Sequence, residues 1–174
     1  MSRVPILDPH AVPVIGRDAD LPAVAPERLT AAALRQRFLA PPAWQPELAG
    51  DGRTFAREPA HAAVLVPLVD RPEGLQLLLT RRTEHLRDHA GQISFPGGRV
   101  EAEDADSAAT ALREAWEEIG LPPDHVEVIG RLPAYTTVTA FVVTPVVALV
   151  RPGFTLALDG VEVAEAFELS LIHI

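Results

Sequence analysis

Three glutamates follow one arginine in the stretch Arg113-Glu114-Ala115-Trp116-Glu117-Glu118-Ile119-Gly120-Leu121. Their i, i+3, i+4 spacing places Glu114, Glu117 and Glu118 on one face of a helix. Neighbouring carboxylates repel, so a fold keeps them together only when something neutralises them. A hard divalent cation with oxygen ligands, such as magnesium, is the natural candidate. Arg113 lies four residues before Glu117 and is placed to hold that carboxylate. Upstream, Gly97-Gly98 lets the backbone approach a metal or a phosphate closely, because no Cβ intervenes. The chemistry this implies is metal-dependent hydrolysis of a phosphate compound, with water activated to attack phosphorus. Glu114 and Glu118 are expected as surface ligands. The bland alternative is a solvated acidic helix face, which the joint occurrence of the arginine, the Gly-Leu stop and the Gly-Gly pair disfavours.

These residues need elements to position them. Asp104 to Ile119 reads as the best helix, capped by Asp106 or Ser107 and stopped by Gly120 with Pro122-Pro123 beyond. Ala108, Ala111, Leu112, Ala115 and Ile119 form its apolar face, from which Trp116 points away. Ala62 to Val69 and Leu75 to Arg81 read as a hairpin about Asp70-Arg71-Pro72-Glu73-Gly74. Residues 82–91 are a polar loop, and Gln92 to Phe95 a short strand. Further strands are expected at Val126 to Leu132, Val138 to Val150 and Phe154 to Leu158, with another element starting in Val161 to Glu168. Residues 1–60 read as an irregular arm, one helix from Pro26 to Ala40 and a Pro/Gly linker. Tyr135 is expected in the core or a pocket. The fold class is α/β (α+β), a mixed sheet flanked by helices.

Composition narrows the class. The chain has 174 residues, 48% hydrophobic, enough for one full domain at residues 61–168. A net charge of -9 without a basic stripe argues against a nucleic-acid partner. No cysteine is present, which excludes disulfides, thiol catalysis and zinc-thiolate sites. The longest apolar run, Phe141 to Val150, is too short to span a bilayer, and no secretory signal follows Met1. A cytoplasmic protein without a membrane partner is the expectation. His85 and His89 have the i, i+4 spacing of a helical metal pair, but their segment reads as a loop.

The last six residues, Leu169-Ser170-Leu171-Ile172-His173-Ile174, hold two of the chain's seven isoleucines. They resemble the translation of a transposon-derived adapter. Residues 169–174 are therefore read as a non-native tail on a chain that naturally continues past about Glu168. Aggregation is expected of such a chain if a closing helix is missing and apolar sheet surface lies bare.

Gly98 to Leu121 resembles the Nudix box, Gly-x5-Glu-x7-Arg-Glu-U-x-Glu-Glu-x-Gly-U with U aliphatic. Its second half matches, with Ala115 a small U. Its first half departs: Asp104 replaces the glutamate, and eight residues separate it from Arg113. Leu78 to Gly98 resembles the motif of Nudix coenzyme A diphosphatases, Leu-Leu-Thr-x-Arg-[Ser/Ala]-x3-Arg-x3-Gly-x3-Phe-Pro-Gly-Gly. Every fixed position agrees except Thr83. The longer box is similar to that of the bacterial branch of this subfamily.

The resemblance implies a Nudix-type α/β/α sandwich, magnesium or manganese as cofactor, and cleavage of coenzyme A to 3',5'-ADP and 4'-phosphopantetheine. It implies catalytic roles for Arg113, Glu114, Glu117 and Glu118, and metal binding by the three glutamates with Gly98. Arg82, Arg87, Gly91, Phe95 and Gly97 fall at substrate-binding positions. Arg82 and Arg87 are cations suited to phosphate groups. Phe95 is a site-lining or a core residue. The alternatives are a Nudix diphosphatase of another nucleoside diphosphate derivative, such as ADP-ribose or a dinucleotide, and a Nudix-like domain that binds nucleotide without cleaving it.

Overall fold

The structure is a computed structural model that describes residues 13–14, 22–46, 48–51, 58–86 and 89–173. Its centre is strand β1, Ala60–Arg71. Both faces of β1 are buried, which is why it reads as a near-continuous apolar run. Beyond a turn with Gly74 at φ 120°, β2 (Gly74–Arg82) returns antiparallel, in register Leu68 to Leu77 and Arg71 to Gly74. The expected hairpin is present.

On its other edge β1 pairs in parallel with β7, Phe141–Val150, over Ala60 to Val69. The remaining strands pair antiparallel. β3 (Ile93–Ser94) and β8 (Val163–Ser170) lie on β2, β4 (Gly97–Arg99) on β1, and β5 (Val126–Arg131) and β6 (Tyr135–Thr136) on β7. The result is one mixed eight-stranded sheet.

Helix α2, Ser107–Ile119, covers one face. Asp106 caps it by accepting from the Ala108 and Ala109 amides at 2.9 and 3.0 Å. Gly120 ends it in the left-handed region at φ 64°. Its Ala111, Ala115 and Ile119 pack on Ala63, Leu65, Leu78, Val146 and Val150, all buried. Each large apolar side chain sealed there contributes about 1.5–3 kcal/mol.

Helix α1, Ala31–Leu39, lies on the opposite face. Thr30 caps it, and Ala31, Leu34 and Phe38 pack on the second core of Leu68, Leu75, Leu77, Val147 and Leu149. A bidentate Arg35–Glu127 pair ties α1 to β5. The layers are thus helix, sheet, helix, as expected.

Four details differ from the sequence expectation. The Pro26 to Ala40 helix is a 3-10 turn, Pro26–Arg28, followed by α1. The strand expected from Val138 to Val150 begins only at Phe141, because a turn ending at Ala140 (φ 62°) precedes β7. Phe154 to Leu158 is not a strand. Its Phe154 and Leu156 pack on the α2 core, while its backbone turns to the open carbonyls at the α2 C-terminus. Tyr135 is exposed rather than buried, and its hydroxyl donates to Asp51 at 2.6 Å. β8 continues through Leu169 and Ser170, paired with Leu77 and Gln76, and Leu171 packs on the second core.

Candidate active site

The carboxylates of α2 meet the sheet at β4. Gly97 donates its amide to Glu118 Oε2 at 3.2 Å. Gly97 has φ 159° and a Cβ there would collide with the backbone of Ala63 and Val64. A Cβ on Gly98 would run into the Glu114 carboxylate. The glycine pair therefore lets the helix carboxylates sit directly against backbone. Gly98→Ala should displace Glu114 and lower kcat/KM roughly tenfold or more while the melting curve stays cooperative. Unchanged turnover would show that Glu114 needs no such approach.

Glu118 is buried, only 7% exposed, and Glu114 is half-buried. Neither is the freely exposed surface ligand expected. Burial pushes the Glu118 carboxyl up to about 7, and repulsion from Glu162 and Glu114 adds to it, against the Gly97 amide and Arg82. Burial also raises Glu114, opposed mainly by Arg113. Glu117 meets Arg113 as its spacing predicted. Its side chain is 56% exposed and binds Arg113 Nη1 at 3.1 Å.

Arg113 is the hub of the helix. It donates to Asp104 through Nε and Nη2 at 3.1 and 3.0 Å, to Glu114 at 3.0 Å and to the Arg99 carbonyl at 3.0 Å. Asp104 also accepts from the Glu101 amide and the Thr110 hydroxyl. Arg113 holds the Asp104 carboxyl well below the usual carboxylate range. Asp104, the residue where the box departs from its pattern, thus anchors the arginine.

Arg82 projects from the end of β2. Its Nη1 lies 3.9 Å from Glu118 Oε1 and its Nη2 3.9 Å from Glu162 Oε2, while its buried Nε has no partner among the described residues. Glu162, which no motif marks and sequence reasoning did not single out, is carried to within 3.9 Å of Arg82 by residues 157–163, which wrap the end of α2.

The other expected substrate positions are dispersed. Gly91 (φ 68°) sits against the Glu84 carboxylate. Phe95 packs with the second core, the structural half of its two readings. Arg87 lies outside the described residues. His85 and His89 are not helical, and His89 bonds Gln92 at 2.9 Å. Trp116 is 53% exposed. A groove of about 600 Å³ lined by Phe38, Trp44 and Leu132 lies between α1 and β5, apart from these carboxylates.

Among the described residues, no three His, Asp or Glu side chains already converge as a ready-made metal site. The three-glutamate site expected from spacing is therefore not preassembled, because Glu117 turns to Arg113. The donor chemistry does fit a hard divalent cation. Glu118 and Glu114 are held against backbone with their ionised forms disfavoured; Arg82 stands off from Glu118 at 3.9 Å, while Arg113 contacts Glu114 at 3.0 Å. Added positive charge would relieve both.

A mixed sheet between two helices, with an acidic helix seated on a glycine pair, defines a three-layer α/β domain with one carboxylate-lined edge. The NUDIX domain model matches residues 59–169, and the chain belongs to that family. Proteins of Salmonella paratyphi B and Salmonella newport, each named uncharacterized Nudix hydrolase NudL, are 53% identical over 110 residues. That match covers 63% of this chain and 57% of each relative, so the chain spans little more than half the length of these relatives.

The fold is similar to that of RenU, a Nudix hydrolase from M. smegmatis (TM-score 0.56, 20% identity, 71% of this chain, 78% of that one). It also resembles a C. elegans Ap4A hydrolase in a binary complex (TM-score 0.53, 20% identity, 64% and 80% covered). A third is the NUDIX domain of Shewanella oneidensis NrtR complexed with ADP ribose (TM-score 0.51, 17% identity, 79% and 84% covered). No helix among the described residues is long and apolar enough to cross a membrane.

Proposed function

We propose that the protein is a divalent-cation-dependent Nudix hydrolase that cleaves the diphosphate linkage of coenzyme A or its derivatives, releasing 3',5'-ADP and 4'-phosphopantetheine. The observation that carries this reading is Arg82. It is the first fixed arginine of the Leu78 to Gly98 motif, and it faces Glu118 and Glu162 at the carboxylate edge. The broader activity, hydrolysis of a nucleoside diphosphate derivative, is supported by family membership.

Glu114 and Glu118 would hold a magnesium or manganese ion, with the Gly97-Gly98 backbone beside them. The ion when bound would supply positive charge against the diphosphate and lower the proton affinity of an attacking water. Arg82 presents a guanidinium fork to the diphosphate oxygens. Arg113 keeps both Glu114 and Glu117 in place through one guanidinium.

The test is turnover of coenzyme A against ADP-ribose with magnesium, the products identified by mass. Formation of 3',5'-ADP and 4'-phosphopantetheine is the expected result. Cleavage of ADP-ribose alone would keep the hydrolase and discard the coenzyme A reading. Cleavage of neither would favour a binding domain. Arg87→Ala should lower kcat/KM for coenzyme A more than for ADP-ribose, and equal losses would remove its assignment to the coenzyme A motif.

A further inference from the structure

The groove of about 600 Å³ between α1 and β5 has no part in the carboxylate chemistry, yet its lining is selective. Gly130 lies so near Phe38 that a Cβ would collide with the ring, so the missing side chain lets that ring close against β5. Trp44, 62% exposed, and Leu132, 43% exposed, line the groove with Phe38. An indole and a leucine left this open gain free energy from any apolar body that covers them.

The charged residues of the lining are two arginines, Arg37 and Arg131, and no carboxylate lines the groove among the described residues. In a chain of net charge -9 this is a local reversal of sign. The two arginines differ in availability. Arg131 gives Nη2 to Asp106 Oδ2 at 2.5 Å. Arg35, two residues before Arg37 on α1, is held by Glu127. Arg37 itself has no ion pair among the described residues, and it is exposed. Pro41, Pro42 and Pro133 complete the lining. Proline has no N–H, so these stretches offer few donors to the backbone of an extended peptide. The size, the apolar lining and the few convergent polar groups fit a small molecule instead.

We propose that this groove is a binding site for a small amphipathic anion. The apolar body of the ligand lies on Trp44, Phe38 and Leu132, and its carboxylate, sulfonate or phosphate head is held by Arg37, with Arg131 as a second cation. A guanidinium suits this place, because it is weakly hydrated, presents a fork to such a head and stacks on aromatic faces. Arg131 already serves Asp106, so Arg37 carries the larger share. The site is separate from the carboxylates of α2 and does not rest on the hydrolase reading.

The experiment is fluorescence titration of the full chain with 1-anilinonaphthalene-8-sulfonate, an apolar body with one sulfonate, followed by displacement of the dye with octanoate. Saturable binding at one site is expected. Octanoate should displace the dye, and octyltrimethylammonium at equal concentration should not. Arg37→Gln and Trp44→Ala should each weaken binding more than about tenfold, and Arg131→Gln should weaken it less. Both residues are exposed, and melting curves should show each variant folded. The absence of saturable binding, or binding that survives both Arg37→Gln and Trp44→Ala unchanged, would overturn the site. Failure of octanoate to displace the dye, or equal displacement by the cationic surfactant, would overturn the ligand class. Sedimentation of the chain with phosphatidylglycerol vesicles, lost in Arg37→Gln, would overturn a free ligand in favour of a lipid surface.

Discussion

Glu118→Gln is expected to abolish most turnover and, in the same protein, to raise the stability of the metal-free fold at pH 8. The cause is the burial of one carboxylate. Its proton affinity rises from the ordinary 4.5 to about 7 in the folded chain, chiefly through desolvation, with Glu162 and Glu114 adding repulsion. The folded protein therefore binds this proton more tightly than the unfolded chain. Between about pH 4.5 and 7 unfolding releases it, so stability falls as pH rises through that window. The full difference is about 3 kcal/mol, at roughly 1.4 kcal/mol per pH unit.

Glu114 is raised as well and acts in the same direction. Asp104 is lowered from 3.8, so its contribution is lost only at more acid pH, outside the window. Glutamine keeps the shape and still accepts from the Gly97 amide, but it carries no charge to desolvate. Urea unfolding in chelator should give similar stabilities for the two proteins near pH 4 and a more stable variant at pH 8. Magnesium should stabilise the natural chain at pH 8 and the variant much less. The loss of kcat/KM should exceed about 100-fold. A variant less stable than the natural chain at pH 8 would refute the strained-carboxylate account, and a fully active variant would remove Glu118 from the chemistry.

This trade was not legible in the sequence, and the reason is physical. Spacing along a helix says which side chains share a face, not how close that face lies to the sheet. Glu118 is buried because β4 brings the Gly97 amide to it, and a three-residue strand of two glycines and an arginine carries no period to read. The features that were legible are local. The α2 cap at Asp106, its stop at Gly120 and the β1-β2 hairpin each depend on residues a few positions apart. The apolar spacing of Phe154 to Leu158 misled because its partners are core side chains and helix-end carbonyls, not another strand. The approach of Glu162 to Arg82 was invisible for the same reason: its backbone is held by bonds to Thr83 and to the segment at the end of α2, far apart in sequence. Of the residues the motifs named, Arg82 comes within 3.9 Å of Glu118, and Glu114 and Glu117 both bond to Arg113.

Arg113→Ala should lower both melting temperature and turnover more than any other arginine substitution among the described residues. Arg113 joins Asp104, Glu114, Glu117 and the Arg99 carbonyl through one guanidinium. Removing it leaves Asp104, whose side chain is 5% exposed, with two weaker donors and a charge set for a cation. It also frees Glu114, already disfavoured as a carboxylate by burial, from the contact that most opposes that burial.

Arg113→Lys should rescue little, because an ammonium cannot span Asp104 and Glu114 while also reaching the Arg99 carbonyl. The loss of kcat/KM should exceed about 100-fold, with the melting transition shifted down but still cooperative. The discriminating measurement is a double-mutant cycle with Asp104→Asn. If Asp104 serves only to hold the arginine, its substitution in the Arg113→Ala background should restore stability rather than cost more, since the stranded charge is gone. Additive losses would mean that Asp104 acts independently of Arg113. Rescue of melting temperature without rescue of turnover separates the two duties of Arg113. Its Asp104 side holds the loop to the helix, and its Glu114 side keeps a carboxylate aimed at the site.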